Sequence, residues 1–507
     1  MIQNLGGTTT QAEPARTKLG DPTPASPNPH SPFVILYNGA TEKSPDRPQA
    51  GRQRGKERGM AKQSTYVPNP DMARAREYAD KLQKMIQYET VSIPGVDQRE
   101  KFLGFHKVLE ELFPTVHERL QKTEIDGNLL FFWEGRHHDK PVLLMSHQDV
   151  VPAEGAWQHD PFSGDIDEDG MLWGRGTVDI KSGVFGFMQA AEELLLEGFE
   201  PEQDIYLSSS CTEEVNGDGA PKLVAELKRR GVRIWLLCDE GGAIITDPMA
   251  GVKGNFGMVG VFEKGIGNVK FIARGGGGHS SMPPKNTPVD RLAAFVHEVK
   301  THDPMRSELS EYVKIMFKTL GPYCEGPLGF VMKNCTWLAP VIKKLVPSVS
   351  SAAAAMFKTT IAFTRMEGSS ANNVIPAEAY VVANIRFIPH QGVKESLAIL
   401  EKIAKKYDID MEVLDAWDAS EPVDITSEAW KKAMAAIEET FPGLPYSPYV
   451  VTGGTDARFY QEVAETSIRF TPVVFGPAQM KGMHGIDERV DIRCLPGAVD
   501  FFKALMR

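Results

Sequence analysis

The chain has 507 residues, a formal net charge of −11 and five cysteines. That length allows two or more domains with a large core, and the acidic balance excludes nucleic acid as the main partner. Sparse, odd cysteines without paired spacing exclude a disulfide framework and point to a reducing, cytoplasmic compartment. No run reaches the roughly 18 apolar residues of a membrane span, so no membrane partner is expected.

Residues 1–65 are rich in Pro, Gly, Thr, Ser and Gln with little apolar periodicity, and are expected to be a disordered leader. Within them GKERGM ends at Met60. Lys-Glu-Arg is what a purine-rich run resembling a bacterial ribosome-binding site encodes, so the native chain is expected to start at Met60. From residue 72, MARAREYADKLQKMIQYE and REKFLGFHKVLEELF space their apolar residues as helices do. Strands and helices then alternate: strands NLLFFWEG and PVLLMS, helix SGVFGFMQAAEELLLEG, strand DIYLSSS, helix APKLVAELKRRG, strand RIWLLC. This alternation predicts an α/β fold with a mostly parallel sheet covered by helices. FEKGIGNVKFIARG opens another style. It reads as a strand, then helix PVDRLAAFVHEVK, an irregular apolar segment, strands TTIAFTR and EAYVVANIRFIP, and helix KESLAILEKIAKKY. We read this as a smaller α+β unit inserted at 263–415, between catalytic parts at 66–262 and 416–507. The apolar segment around Phe330, Trp337 and Val341 is expected in the core of that unit rather than lining an acyl pocket.

Polar clusters follow the strands directly. PVLLMS runs into His147-Gln148-Asp149, DIYLSSSCT into Glu213-Glu214, and RIWLLC into Asp239-Glu240; Asp179 stands just ahead of a helix in LWGRGTVDIKSG. Sites in open α/β sheets form beyond the carboxyl ends of the strands, so these clusters converge on one edge. Carboxylates with a histidine and no cysteine make a hard, oxygen-rich metal site. His147 and Asp149, two apart, point to the same side of an extended chain. A carboxylate beside a ligating imidazole fixes its tautomer. Taken alone, the Glu pair would be a solvated loop. His279 in GGGGHSSMP is a candidate oxyanion donor. Its glycines are not a nucleotide loop, since no Lys-Ser/Thr follows. Arg386 is either a bidentate partner for a substrate carboxylate or a strand-edge arginine.

SHQDVVP, LWGRGTVDIKSG, CTEEVNGDGA, CDEGG, GGGGHSSMP, NNVIPAEAYVVANIRFIP, GGTDARFY and MHGIDE stand in one order along the chain. In that order they resemble the aminoacylase/carboxypeptidase S family of dinuclear zinc hydrolases, and also the ArgE/DapE deacylases. The resemblance runs from about residue 72 to the end, and residues 303–358 look most like the carboxypeptidase S branch. It implies His147 on one metal, His484 on the other, Asp179 bridging, and Glu214 and Asp239 completing the shells. It implies Glu213 as general base, Asp149 as the partner orienting His147, and a cis peptide after Asp179. Asn373 and the backbone of Gly453 and Gly454 become substrate contacts. The inserted unit becomes a lid and dimerisation domain that brings His279 to the site, often across a two-fold axis. Ser146, Ser182 and Asp487 depart from the usual pattern without removing a ligand.

The expected function is therefore a two-metal amidohydrolase or metallopeptidase. It would release an amino acid from a peptide C-terminus or from an N-acyl amino acid. Zinc fits the shell, as do cobalt and manganese. The reading from another class is a catalytically silent binding protein on the same fold.

Overall fold

The computed structural model describes residues 62, 64, 66–68 and 71–507. The leader expected at 1–65 and the start expected at Met60 lie almost wholly outside the described residues.

The large sheet has ten strands. At its centre His137–Met145 lies between Gln203–Ser209 and Ile234–Asp239, parallel to both, and Ala464–Arg469 continues the parallel run beyond Ile234–Asp239. The residues explain the placement. Val142–Met145, Ile205–Ser209 and Leu236–Asp239 are buried without interruption, as strands covered on both faces must be. On one face, Lys181–Leu196 is buried along most of its length and packs against Leu495–Met506. Met72–Gln87 joins them, with Asp71 accepting from the Arg74 N–H at its N-terminus. Toward its margins the sheet turns antiparallel, through Asn128–Trp133 and Gln121–Ile125 on one side and Ala243–Thr246 on the other.

The inserted unit has its own four-stranded antiparallel sheet, in the order Thr360–Glu367, Glu378–Phe387, Gly265–Arg274, Ile409–Trp417. Helices Pro288–His302 and Val393–Lys406 cover it and enclose a separate core of Val269, Phe271, Phe295, Val381, Ile385 and Leu400. Thr287 and Asp290 form a capping box at the start of the first helix.

The segment read as irregular is helical, at Glu311–Leu320, Gly326–Lys333, Cys335–Val349 and Ser351–Phe357. Nor does it fill the core of the inserted unit. Val313, Met316, Phe317, Met332, Cys335 and Ile342 join the catalytic unit's core, and Glu311–Leu320 packs on the strand Tyr446–Val451. Phe330, Trp337 and Val341 point outward instead, each more than half exposed. Apolar content alone does not say which core a segment joins; docking does.

Candidate metal centre

Three parallel strands end at one edge of the large sheet and deliver their following residues together. His147 stands two residues past His137–Met145, and its Nε2 lies 3.2 Å from both Asp179 Oδ1 and Glu240 Oε1. Its Nδ1 faces the backbone carbonyl of Asp149 at 2.9 Å. With Nδ1 engaged, the Nε2 edge is turned to the carboxylates.

The carboxylate of Asp149 is fully buried and organises the Glu pair. Its Oδ1 accepts the Glu213 N–H at 3.2 Å, and its Oδ2 accepts the Glu214 N–H at 3.1 Å and the Ser92 hydroxyl at 2.7 Å. This is why two glutamates stand side by side. One buried anion holds both backbone amides, and their side chains then serve different groups. Glu214 Oε2 lies 3.1 Å from His484 Nε2, while Glu213 gathers with His147 and Glu240.

Asp179 sits between the histidines, Oδ1 toward His147 and Oδ2 at 2.9 Å from His484 Nε2. It heads the helix Lys181–Leu196, and the Asp179–Ile180 peptide is cis. A two-stranded ribbon pairing Met171–Trp173 with Arg489–Asp491 lays the His484 loop against it. His484 and Asp487 both adopt left-handed backbone, at φ 54° and 63°; for non-glycine residues this region is sparsely populated and tends to cluster at functional sites. Glu488 locks the arrangement. It is fully buried, accepts from the amides of Gly176, Val178 and Asp179 at 2.8–3.2 Å, and pairs with Arg175 at 2.5 Å.

Asp239, expected among the ligands, and its neighbour Glu240 face different ways. Asp239 Oδ2 accepts the Ala457 N–H at 2.9 Å and belongs to neither histidine–carboxylate group, whereas Glu240 faces His147. Successive side chains of an extended chain point to opposite sides. At the end of Ile234–Asp239 that alternation sends Asp239 toward the loop at 455–457 and Glu240 into the centre.

So many buried carboxylates strain one another. Burial and then nearby anions push Glu240 up to about 8 and Asp239 up to about 7. Burial, with Glu240 and Asp456, raises Glu213 well above the carboxylate range despite the opposing pull of His147. His484 is driven up to about 11, because Glu214 and Asp179 outweigh its burial. Burial would raise Asp179 as well, but the two facing histidines hold it below the usual range. Among the described residues, Asp179 Oδ2, Glu214 Oε1 and Glu240 Oε2 are buried without a well-directed hydrogen bond. Lone pairs left over in a dry, anionic site are what divalent cations take up, and two imidazoles with these carboxylates fit a pair of them.

The other expected residues lie further out. His279, on the short strand Gly278–His279, is exposed and pairs with Val374; Ser280 donates to the Asn373 carbonyl at 3.0 Å. The structure thus brings His279 and Asn373 to one another, on the inserted unit, and brings neither to the histidine–carboxylate groups. Gly453 and Gly454 precede Thr455, whose N–H and hydroxyl bind the buried Glu263 at 2.7 and 2.8 Å, at the root of the inserted unit. A Cβ on Gly454 would meet an Arg458 guanidinium nitrogen at 2.8 Å. Arg386 is half-buried beside this junction, with Nε donating to Asn384 at 3.2 Å. Burial and the neighbouring Arg458 pull its guanidinium down to about 10, still cationic at neutral pH. Arg458 also donates to Asn216 at 2.8 Å and so ties this loop to the one carrying the Glu pair. Sequence reasoning assigned no role to Glu240, Glu488 or Arg458, though CDEGG, MHGIDE and GGTDARFY contain them.

A buried histidine–carboxylate centre at the carboxyl edge of an α/β sheet, beside an inserted α+β unit, defines a metal-dependent hydrolase of the metallopeptidase and amidohydrolase class. The family model described as Peptidase family M20/M25/M40 matches residues 143–507. The chain belongs to that family and is a hydrolase acting on amide bonds. It is 31% identical over 445 residues to a probable carboxypeptidase S-like 2 of Dictyostelium discoideum, covering 85% of each chain. It is 31% identical over 441 residues to the N-fatty-acyl-amino acid synthase/hydrolase PM20D1 of Xenopus tropicalis, covering 85% of this chain and 86% of that one. An M20 family metallo-carboxypeptidase from Sulfolobus solfataricus shares the fold, with a TM-score of 0.62, 17% identity, and coverage of 85% of this chain and 99% of that one.

Proposed function

We propose that the protein releases a free amino acid from an N-acyl amino acid or a peptide C-terminus, at a centre holding two zinc ions. The observation that carries this is the divided Glu pair: Asp149 fixes both amides, Glu214 faces His484, and Glu213 is left beside His147 without a histidine of its own. His147 with Glu240 would hold one metal and His484 with Glu214 the other, with Asp179 between the two histidines. When bound there, the two ions supply Lewis-acid polarisation of the scissile carbonyl and acidify water. Glu240 takes the position that the resemblance gave to Asp239.

Glu213 accepts the proton of the attacking water and hands it to the departing amine. Asp149 keeps His147 in one tautomer and holds the Glu loop in place. Arg386 and Arg458 form a cationic corner for the carboxylate of the departing amino acid. His279 and Asn373 form an oxyanion donor pair that reaches the centre from a second copy of the chain, which makes the working unit a homodimer. A cavity of about 580 Å³ opens beside the Glu loop, where Ile93, Val96, Phe102 and Val215 share the wall with Asp97, Arg99, Asp126 and Lys222; its apolar part offers room for an acyl chain. A cytoplasmic setting is supported by five buried free cysteines.

The test is amine release from a panel of N-acyl amino acids and short peptides, comparing metal-loaded with chelated protein. Metal-dependent release is expected, and the preferred acyl side separates deacylase from carboxypeptidase. Release unaffected by chelation would refute the reading.

A further inference from the structure

The helices Gly326–Lys333 and Cys335–Val349 have one seated side and one bare side. Met332, Cys335 and Ile342 are at most 2% exposed and anchor the pair in the catalytic unit's core. On the opposite side Phe330 is 57% exposed, Trp337 66%, Val341 52% and Leu345 57%. Trp337, Val341 and Leu345 recur every four residues and so line up as one stripe along the helix. Lys344 lies exposed beside Val341 and Leu345 on this helix, Lys343 is exposed further round it and Lys333 at the end of the preceding helix, and none of the three makes an ion pair among the described residues. The charge pattern is the second observation. The chain carries 67 acidic residues, yet residues 326–366 hold none.

We propose that this face docks on an anionic lipid surface. Aromatic and aliphatic side chains flanked by lysines on one side of a helix suit the boundary between headgroups and acyl chains. A negatively charged protein is repelled by such a surface everywhere except at an acid-free, basic patch, so the patch also sets the orientation. A second copy of the chain is a poor occupant, because two such patches would bring like charges together. At 15 residues the longer helix is too short to cross a bilayer, and no described helix is long and apolar enough to do so; docking therefore means lying in the surface plane. The absence of a membrane partner expected from sequence rested on spanning length alone, a criterion that does not see a helix lying flat.

Vesicle co-sedimentation of the full chain tests this. Binding is expected to vesicles of equal parts phosphatidylglycerol and phosphatidylcholine at low salt, with little to phosphatidylcholine alone and release at about 0.5 M salt. Lys333→Gln, Lys343→Gln and Lys344→Gln together are expected to weaken binding about fivefold per lysine. Phe330→Ser, Trp337→Ser and Val341→Ser together are expected to abolish it with an unchanged melting temperature. The single Trp337→Glu variant supplies the same readout if the triple variant fails to fold. No binding of the unmodified chain to the anionic vesicles would overturn the proposal, as would binding that the apolar variants retain. Concentration-dependent dimers that the apolar variants abolish, without vesicle binding, would overturn it in favour of a second copy.

Discussion

The carboxyl edge of the large sheet and the His279–Asn373 ribbon of the inserted unit are built in opposite ways. At the edge, His147, Asp149, Asp179, Glu214 and Glu240 are all buried and held by one another or by backbone amides. On the ribbon, His279 is exposed, and its Nδ1 meets the neighbouring Ser281, whose hydroxyl lies at 2.8 Å and whose backbone N–H donates at 3.2 Å. Groups that hold ions and move protons need fixed geometry, and a buried polar network supplies it. Groups that must let a substrate in and close on it need the opposite. The difference teaches that a fixed, buried polar network and exposed, adaptable groups lie on different units, with Glu263, Thr455, Arg386 and Arg458 at their junction; the proposed function makes this a division between chemistry and recognition.

The sharpest way to break that division is Glu213→Gln. Turnover is expected to fall by about 10²–10⁴-fold, as for loss of a general base, while bound metal and melting temperature stay near those of the parent. Steady-state kinetics beside elemental analysis would measure both, and a variant that still turns over at the parent's rate rules Glu213 out as the base. Next comes the contrast between neighbours. Glu240→Ala is expected to lose one of two metal equivalents in elemental analysis after dialysis. Asp239→Asn, which keeps an acceptor for the Ala457 amide, is expected to keep both. The reverse pattern would return the ligand role to Asp239.

On the recognition side, Arg386→Ala is expected to raise KM by roughly ten- to hundredfold for substrates with a free carboxylate, the loss of one charged hydrogen-bonding partner. Esterified substrates should change little; equal losses on both would remove the cationic corner from substrate binding. The smallest effect concerns His106, which lies behind the centre with Nε2 3.1 Å from Gln148. Burial, helped by Lys122, lowers its imidazole to about 4. Between pH 4 and 6.5 the unfolded chain binds this proton and the folded chain does not, so stability rises with pH across that window. His106→Leu is expected to flatten the slope by on the order of 2 kcal/mol, read from urea melts at pH 4.5 and 7. An unchanged slope would mean that His106 binds its proton equally well in the folded and unfolded chain.

The division was only half visible in the chain. The strands before His147, Glu213 and Asp239 announced themselves as apolar runs ending in acids, because strands buried on both faces tolerate little else. Placing acids at the carboxyl ends of parallel strands then put them on one edge without any coordinates. The choice between Asp239 and Glu240 was not visible. It depends on where the extended chain stops alternating, and on the Ala457 amide more than two hundred residues away, which claims Asp239. Glu488 was equally hidden. An acid after a turn reads as surface until three amides and Arg175 are seen to close around it.

The sequence by itself determined the α/β class, the inserted α+β unit and the convergence of histidines and carboxylates, because burial and periodicity are local properties written residue by residue. Only the tertiary structure decided which of two adjacent acids faces His147. It also decided that His279 lies away from its own chain's centre, and that residues 303–358 seat their helices on the catalytic unit with Phe330 and Trp337 outward. Those outcomes depend on partners far apart in the chain competing for the same side chain, and no local pattern records who wins.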